Sequence, residues 1–288
     1  MDIDTAPLSA NEGIKTRSRG LRGTIADGLG LQETGGIADD DQQLVKFHGL
    51  YLQDDRDLRA ERGKQRMEKA FSFMARLRIP AGELTPAQWF AADAIARERG
   101  NGALRITTRQ TIQYHGILKG NLRPAMRALR DAMLDMIASC GDVNRNVIAS
   151  AAPWDPAGHA AVSGLANAIA ARLLPKTRAW HEIWLGDGAA PAASGTPPED
   201  DPIYGATYLP RKFKIGVALP PLNDVDAFAQ DLAFVAVREG GRVVGWNVVA
   251  GGGMGMTHGE PETYPRNGDI VGFVPDGMAP QVRWPRRC

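Results

Sequence analysis

The sequence predicts an α+β chain, and three local patterns point to it. Apolar and polar residues alternate from Met74 to Ile79, the period of a half-buried strand. Thr85-Pro86, with Gln88 three residues past the threonine, is the start of a capped helix. Glu239-Gly240-Gly241 separates two strand-like runs, 234–238 and 243–249, as the turn of a hairpin.

The elements follow in chain order. Residues 1–43 are rich in Gly, Asp and Thr with weak periodicity; they predict an extended arm, 1–66 in all, that gains structure only against something else. The charge-dense run 54–62 reads as a solvated helix or turn held by i,i+4 pairs. A strand is expected over 71–79, ended by Pro80-Ala81-Gly82. The capped helix carries Trp89, Ala92, Ile95 and Ala96 at helical spacing and stops at Gly100-Asn101-Gly102. Residues 104–107 and 111–115 read as two more strand pieces, and a helix is expected over 124–137. Strand, helix, strand, strand, helix opens a ferredoxin-like unit, assigned to 67–140.

A second region runs over 141–274. It predicts a helix over 159–174, a strand over 180–185, an exposed loop over 186–202, a strand over 213–219 and a short helix over 226–230 before the hairpin. The tail, 275–288, has no helical or strand period and ends in Cys288.

The 288 residues are 43% hydrophobic and 23% charged, the composition of a globular protein rather than a disordered one. The net charge of +1 gives no reason to expect nucleic acid as a partner. The two cysteines, Cys140 and Cys288, exclude a disulfide framework and a Cys-x-x-Cys metal pair and suit a reducing compartment. Residues 1–20 lack the apolar core of a signal peptide, and no window reaches the ~18 apolar residues of a membrane span. The expectation is a soluble, cytoplasmic chain with no membrane partner.

Basic residues are the informative feature. Arg76 and Arg78 flank one apolar residue; Arg105 and Arg109 bracket Ile106-Thr107-Thr108; Arg145 sits in Asp142-Val143-Asn144-Arg145-Asn146; Arg211, Lys212 and Lys214 sit in Leu209-Pro210-Arg211-Lys212-Phe213-Lys214. Each lies at or beside a strand pattern, where a charge needs a partner. Glu83 and Asp142 are the acids near these segments in sequence. If the strands converge they form a cationic pocket for a multiply anionic ligand. Alternatively, each arginine reaches solvent or pairs with an acid from elsewhere. The glycine run Gly251-Gly252-Gly253-Met254-Gly255 lacks phosphate-loop spacing; close approach to a flat ligand or to a neighbouring strand explains it as well. The five histidines show no metal-ligand spacing. His48, His159, His181 and His258 read as structural, and His115 as able to face the pocket.

These motifs resemble a known family. Leu104-Arg105-Ile106-Thr107-Thr108-Arg109-Gln110-Thr111-Ile112-Gln113-Tyr114-His115 is similar to the signature strand pair of the sulfite and nitrite reductase haemoproteins. Asp142-Val143-Asn144-Arg145-Asn146-Val147 and Tyr208-Leu209-Pro210-Arg211-Lys212-Phe213-Lys214 match two further family motifs in the same order. Leu21-Arg22-Gly23-Thr24-Ile25-Ala26 and Phe47-His48-Gly49-Leu50-Tyr51-Leu52-Gln53-Asp54-Asp55-Arg56-Asp57 resemble the amino-terminal arm of its NADPH-linked sulfite-reducing branch.

The resemblance covers about residues 20–274. It implies a ferredoxin-like half-domain followed by an incomplete α/β sirohaem-binding domain. It implies sirohaem, a ring carrying eight carboxylates, coupled to a 4Fe-4S cluster, with sulfite as substrate and a flavoprotein reductase as partner. It implies that Arg76, Arg145, Lys212 and Lys214 hold sulfite and supply protons, and that Arg105, Thr107, Thr108, Arg109, Gln113, His115 and Arg211 contact the macrocycle. The family's cluster cysteines have no counterpart here, so no metal ligands are assigned and the chain alone is expected to be inactive, its end reading as a truncation or frameshift. Nitrite reduction, or a non-catalytic anion- or tetrapyrrole-binding module, are the alternatives.

Overall fold

The computed structural model describes residues 9–186 and 201–279, and two sheets carry the fold. In chain order the elements are α1 (Ala10–Arg17), α2 (Ile25–Gly28), α3 (Asp39–Leu44), β1 (Leu50–Asp54), α4 (Arg59–Lys64), β2 (Phe71–Arg76), α5 (Pro86–Arg99), β3 (Leu104–Ile106), β4 (Ile112–Ile117), α6 (Leu122–Asp131), β5 (Ile148–Ala149), α7 (Pro156–Arg172), α8 (Ala179–Leu185), β6 (Ile215–Ala218), β7 (Leu232–Glu239), β8 (Arg242–Ala250) and β9 (Asp269–Pro275). Most of the expected loop 186–202, the first eight residues of the arm and residues 280–288 with Cys288 lie outside the described residues.

The first sheet is antiparallel, in the order β1-β2-β4-β3. Because side chains alternate across a strand, Leu50, Phe73, Ala75 and Tyr114 share one face. That face forms a single core with Ala92 and Ile95 of α5, Met126 and Leu129 of α6, and Ile183 and Trp184 of α8. α5 starts as its sequence predicts: Thr85 accepts from Gln88 N while the Gln88 side chain accepts from Thr85 N.

The second sheet runs β5-β6-β7-β8-β9, parallel from β5 to β7 and antiparallel from β7 to β9. α7 covers one face, setting Val162, Leu165, Ala166 and Ile169 against Val217, Phe234 and Trp246. α7 begins at Pro156 rather than near 159, because Asp155 caps it through Gly158 N at 3.2 Å.

Several expectations are corrected. The arm is not extended: it holds α1, α2 and α3, and Ile14, Leu21, Ile25 and Leu44 belong to the first core. The "something else" it folds against is its own chain. The strand expected over 180–185 is helix α8; Trp180, Ile183 and Trp184 fall at helical spacing and are all buried, so the apolar residues make one helical face. The helix expected over 124–137 ends at Asp131. Met133 takes a left-handed conformation at φ 57°, and Asp135 beyond it binds Arg78 through both oxygens. The strand expected over 71–79 ends at Arg76 for the same reason: Leu77 N still donates to Ile112 O at 2.9 Å, but Arg78 N donates to Asp135 O at 2.8 Å. β9 has no counterpart among the expected elements. Beyond it Asp276 accepts from Trp246 Nε1 at 3.2 Å and Ala279 is buried in the second core, so packing continues past 274.

Candidate functional site

The face of the first sheet opposite the core is polar. Register sets Arg76 of β2 opposite Gln113 of β4, and Gln113 opposite Arg105 of β3. These three side chains form a row across the sheet, with Tyr51 and Gln53 on β1 and His115 on β4 sharing the face. In the orientation that satisfies both partners, the Gln113 amide oxygen accepts from Arg76 Nη2 at 2.5 Å and Nε at 3.0 Å, and its nitrogen donates to His115 Nε2 at 3.2 Å. His115 Nδ1 then donates to Gln53 Oε1 at 3.2 Å. Burial, then Arg105 and Arg76, hold the His115 imidazolium below its ordinary pKa.

The two sheets are joined by the β3–β4 turn. Gln110, at φ 50°, turns its amide toward β5, where Oε1 accepts from Ala149 N at 2.9 Å and Nε2 donates to Ala149 O. Asn146 accepts from Ile79 N at 2.9 Å and donates to Ile79 O and Arg109 O at 2.8 and 2.9 Å. Arg109 reaches across to Gln230 Oε1 at 3.0 Å and Ile215 O at 2.9 Å, while its Nε is buried without a hydrogen-bond partner. Thr107 Oγ1 accepts from Arg109 N at 3.2 Å, and Thr108 is exposed on the turn.

Beside the polar face, Arg76 Nη1 lies 3.1 Å from Cys140 Sγ, and its guanidinium sits 5.9 Å from the centre of the Tyr51 ring. Arg145 is fixed by Nε donating to Ser139 O at 2.8 Å, and Ser139 Oγ donates to Arg76 O at 2.8 Å. Burial and Cys140 push the Tyr51 phenol up, against Arg145 and Arg76. Arg109 is pushed down to about 10 by burial and by Arg145, with Asp231 opposing, and stays charged at neutral pH. Burial also lowers Lys214, where Asp231 acts against Arg109, Lys212 and Arg211. Lys212 and Arg211 are exposed, with Arg211 Nη2 4.0 Å from Asp231 Oδ1. A continuous run of cations therefore extends from Arg105 through Arg76, Arg145 and Arg109 to Lys214, with Asp231 among them.

Sequence reasoning singled out the cations but missed several of their partners. Gln110 and Asn146 stand inside the motifs and could have been read as turn-fixing amides. Cys140 and Tyr51 are drawn in only by the approach of Arg76, and Gln230, 121 residues from Arg109, carries no local signal. Within the glycine run Gly252 serves close packing, since a Cβ there would lie 2.2 Å from Phe228 O, whereas Gly253 and Gly255 have open space around them.

The exposed Arg105 and Arg211, and the Arg109 Nε left without a partner, fit a ring bearing several carboxylates, whose oxygens are the acceptors such donors take. An iron–sulfur cluster does not fit: Cys140 is the one cysteine among the described residues, and among them no three His, Cys, Asp or Glu side chains converge. Among the same residues no helix is long and apolar enough to cross a membrane.

Comparison with known proteins matches residues 65–132 to the nitrite/sulfite reductase ferredoxin-like half domain and residues 165–282 to the nitrite and sulphite reductase 4Fe-4S domain. Sulfite reductase (NADPH) hemoprotein beta-components are 58% identical over 93% of the chain in Methylobacterium radiotolerans and 56% identical over 96% in Myxococcus xanthus. The chain spans 43% and 48% of those relatives, a little under half their length. Among solved structures, the Mycobacterium tuberculosis NirA protein superposes with a TM-score of 0.68 at 25% identity, over 96% of this chain and 46% of that one.

Proposed function

We propose, from the premise that this chain belongs to the nitrite and sulfite reductase family, that it is the anion-handling portion of a sulfite reductase haemoprotein. The observation that carries this reading is the run of cations from Arg105 to Lys214 across two sheets, in which Arg76, Arg109 and Arg145 are held by neutral amides and main-chain carbonyls and Asp231 is the carboxylate beside Lys214 and Arg211.

In this reading Arg105, Thr107, Thr108, Arg109, Gln113, His115 and Arg211 hold sirohaem through its carboxylates. When bound, the ring supplies the electron-carrying chemistry. Arg76, Arg145, Lys212 and Lys214 bind sulfite oxygens, and their fixed positive charge stabilises negative charge as it builds on those oxygens. Lys214, whose ammonium burial and neighbouring cations weaken, is the readiest proton donor of the four. Gln113 and Gln53 hold His115 in one tautomer and keep Arg76 in its place in the row. The relatives are NADPH-linked beta-components, which supports a second, NADPH-linked component as partner of the complete assembly, here read as a flavoprotein. The buried free thiol Cys140 supports a reducing, cytoplasmic setting.

The test is reconstitution of the chain with sirohaem, iron and sulfide, followed by sulfite and nitrite reduction driven by reduced methyl viologen. Sirohaem uptake without turnover of either anion is expected, because the described residues cannot ligate a cluster. Robust turnover contradicts the assignment of this chain to anion handling alone.

A further inference from the structure

We propose that Lys15, on helix α1, is a positioning residue for the anion site, a proposal that rests on the anion-binding reading above. Its side chain is 2% exposed, deep for a lysine. The ammonium donates to Leu209 O at 2.8 Å, pairs with Glu12 and lies 3.8 Å from Asp142 Oδ2.

Those partners matter for where they stand. Asp142 begins the segment that carries Arg145, and Leu209 begins the one that carries Arg211, Lys212 and Lys214. The two segments are laced by main-chain hydrogen bonds: Leu209 N to Asp142 O at 3.0 Å, Phe213 N to Val143 O at 3.1 Å and Arg145 N to Phe213 O at 2.8 Å. Lys15 grips the outer end of this lacing, one segment by a carbonyl and the other by a carboxylate. A buried ammonium is costly to leave unpaired, so the grip is held tightly. The effect runs both ways. Burial pushes the Asp142 carboxyl up, and Lys15 is the foremost of the cations holding it down, ahead of Lys46 and Arg145. Lys15 thus favours the charged form of the acid three residues before Arg145. The arm, which carries none of the site cations, thereby fixes the spacing between Arg145 and Lys214.

The test compares the whole chain with Lys15→Met and Lys15→Arg by amide hydrogen exchange and by sirohaem titration followed with sodium sulfite. In K15M the amides of Arg145, Leu209 and Phe213 are expected to exchange at least tenfold faster, with those of β7 and β8 unchanged. The sulfite-induced change in the sirohaem absorption is expected to need about tenfold more sulfite. K15R, which keeps a donor, is expected to recover most of both losses. If K15M does not fold, Asp142→Asn is read at the same three amides, with the same local opening expected. Unchanged exchange at these amides, or acceleration spread evenly over the chain, overturns the clamp. Local opening in K15M, with a wild-type chain that takes up no sirohaem, overturns the anion reading and leaves the clamp standing.

Discussion

At the scale of the residue, His48 shows how burial sets chemistry. Its Nε2 donates to Leu21 O at 2.9 Å and its Nδ1 accepts from Trp184 Nε1 at 3.2 Å, so the neutral ring ties the arm to α8. Complete burial lowers its pKa to about 4. The unfolded chain takes up a proton near pH 6.5 and the folded chain does not until about 4. Stability is therefore intact above pH 6.5 and is lost as pH falls toward 4. About 2 kcal/mol should disappear between pH 7 and 5, read as a fall in the urea midpoint. His48→Phe should be less stable at pH 7 and should lack this His48 component of the pH dependence.

Arg109 supplies a second prediction. Its fork bonds Gln230 and Ile215 together, which a lysine's single ammonium does not reproduce. Arg109→Lys should cost about 1–2 kcal/mol in chemical denaturation. The site cations themselves were legible in the sequence because basic residues stood out against strand patterns poor in acids. Their partners were less so: a carbonyl at Ser139 or Ile215 leaves no signature, and Gln230 is ordinary in its own segment.

At the scale of the element, the helix signals that rest on local chemistry succeeded. The Thr85–Gln88 box closes as expected, and Thr85→Ala should lower stability by about 1 kcal/mol, seen as a drop in Tm. Elements whose form depends on distant partners misled. α8 is a short run rich in aromatic and β-branched residues that buries a helical face against the first core, and α6 stops where Asp135 leaves to meet Arg78. The arm has too little periodicity of its own to announce α1–α3, because what orders it is packing of Ile14, Leu21 and Ile25 and the bonds of Lys15 and His48.

At the scale of the whole molecule, the α+β character and the hairpin were legible, whereas the joining of the two sheets was not. That joint is made by Gln110, Asn146 and Arg109, each reaching between segments far apart in sequence. β9 lies at the edge of the second sheet with Ile270 and Val271 more than half exposed and Phe273 at 52%. An edge strand with open apolar side chains invites association. The chain should bind a hydrophobic dye such as ANS and self-associate with rising concentration, and Ile270→Thr with Phe273→Thr should reduce both; dye binding and sedimentation indifferent to the pair would contradict this.

The joint also sets the cations of both sheets in one continuous run, and that run is the feature from which function is read. Equilibrium titration of the folded chain with sirohaem, followed by its visible absorption, tests it most directly. The expected result is saturable binding that weakens as salt rises and falls at least tenfold in Arg105→Glu, the circular dichroism being unchanged. A folded chain that takes up no sirohaem, or binds it equally well at high salt and in the variant, would contradict it.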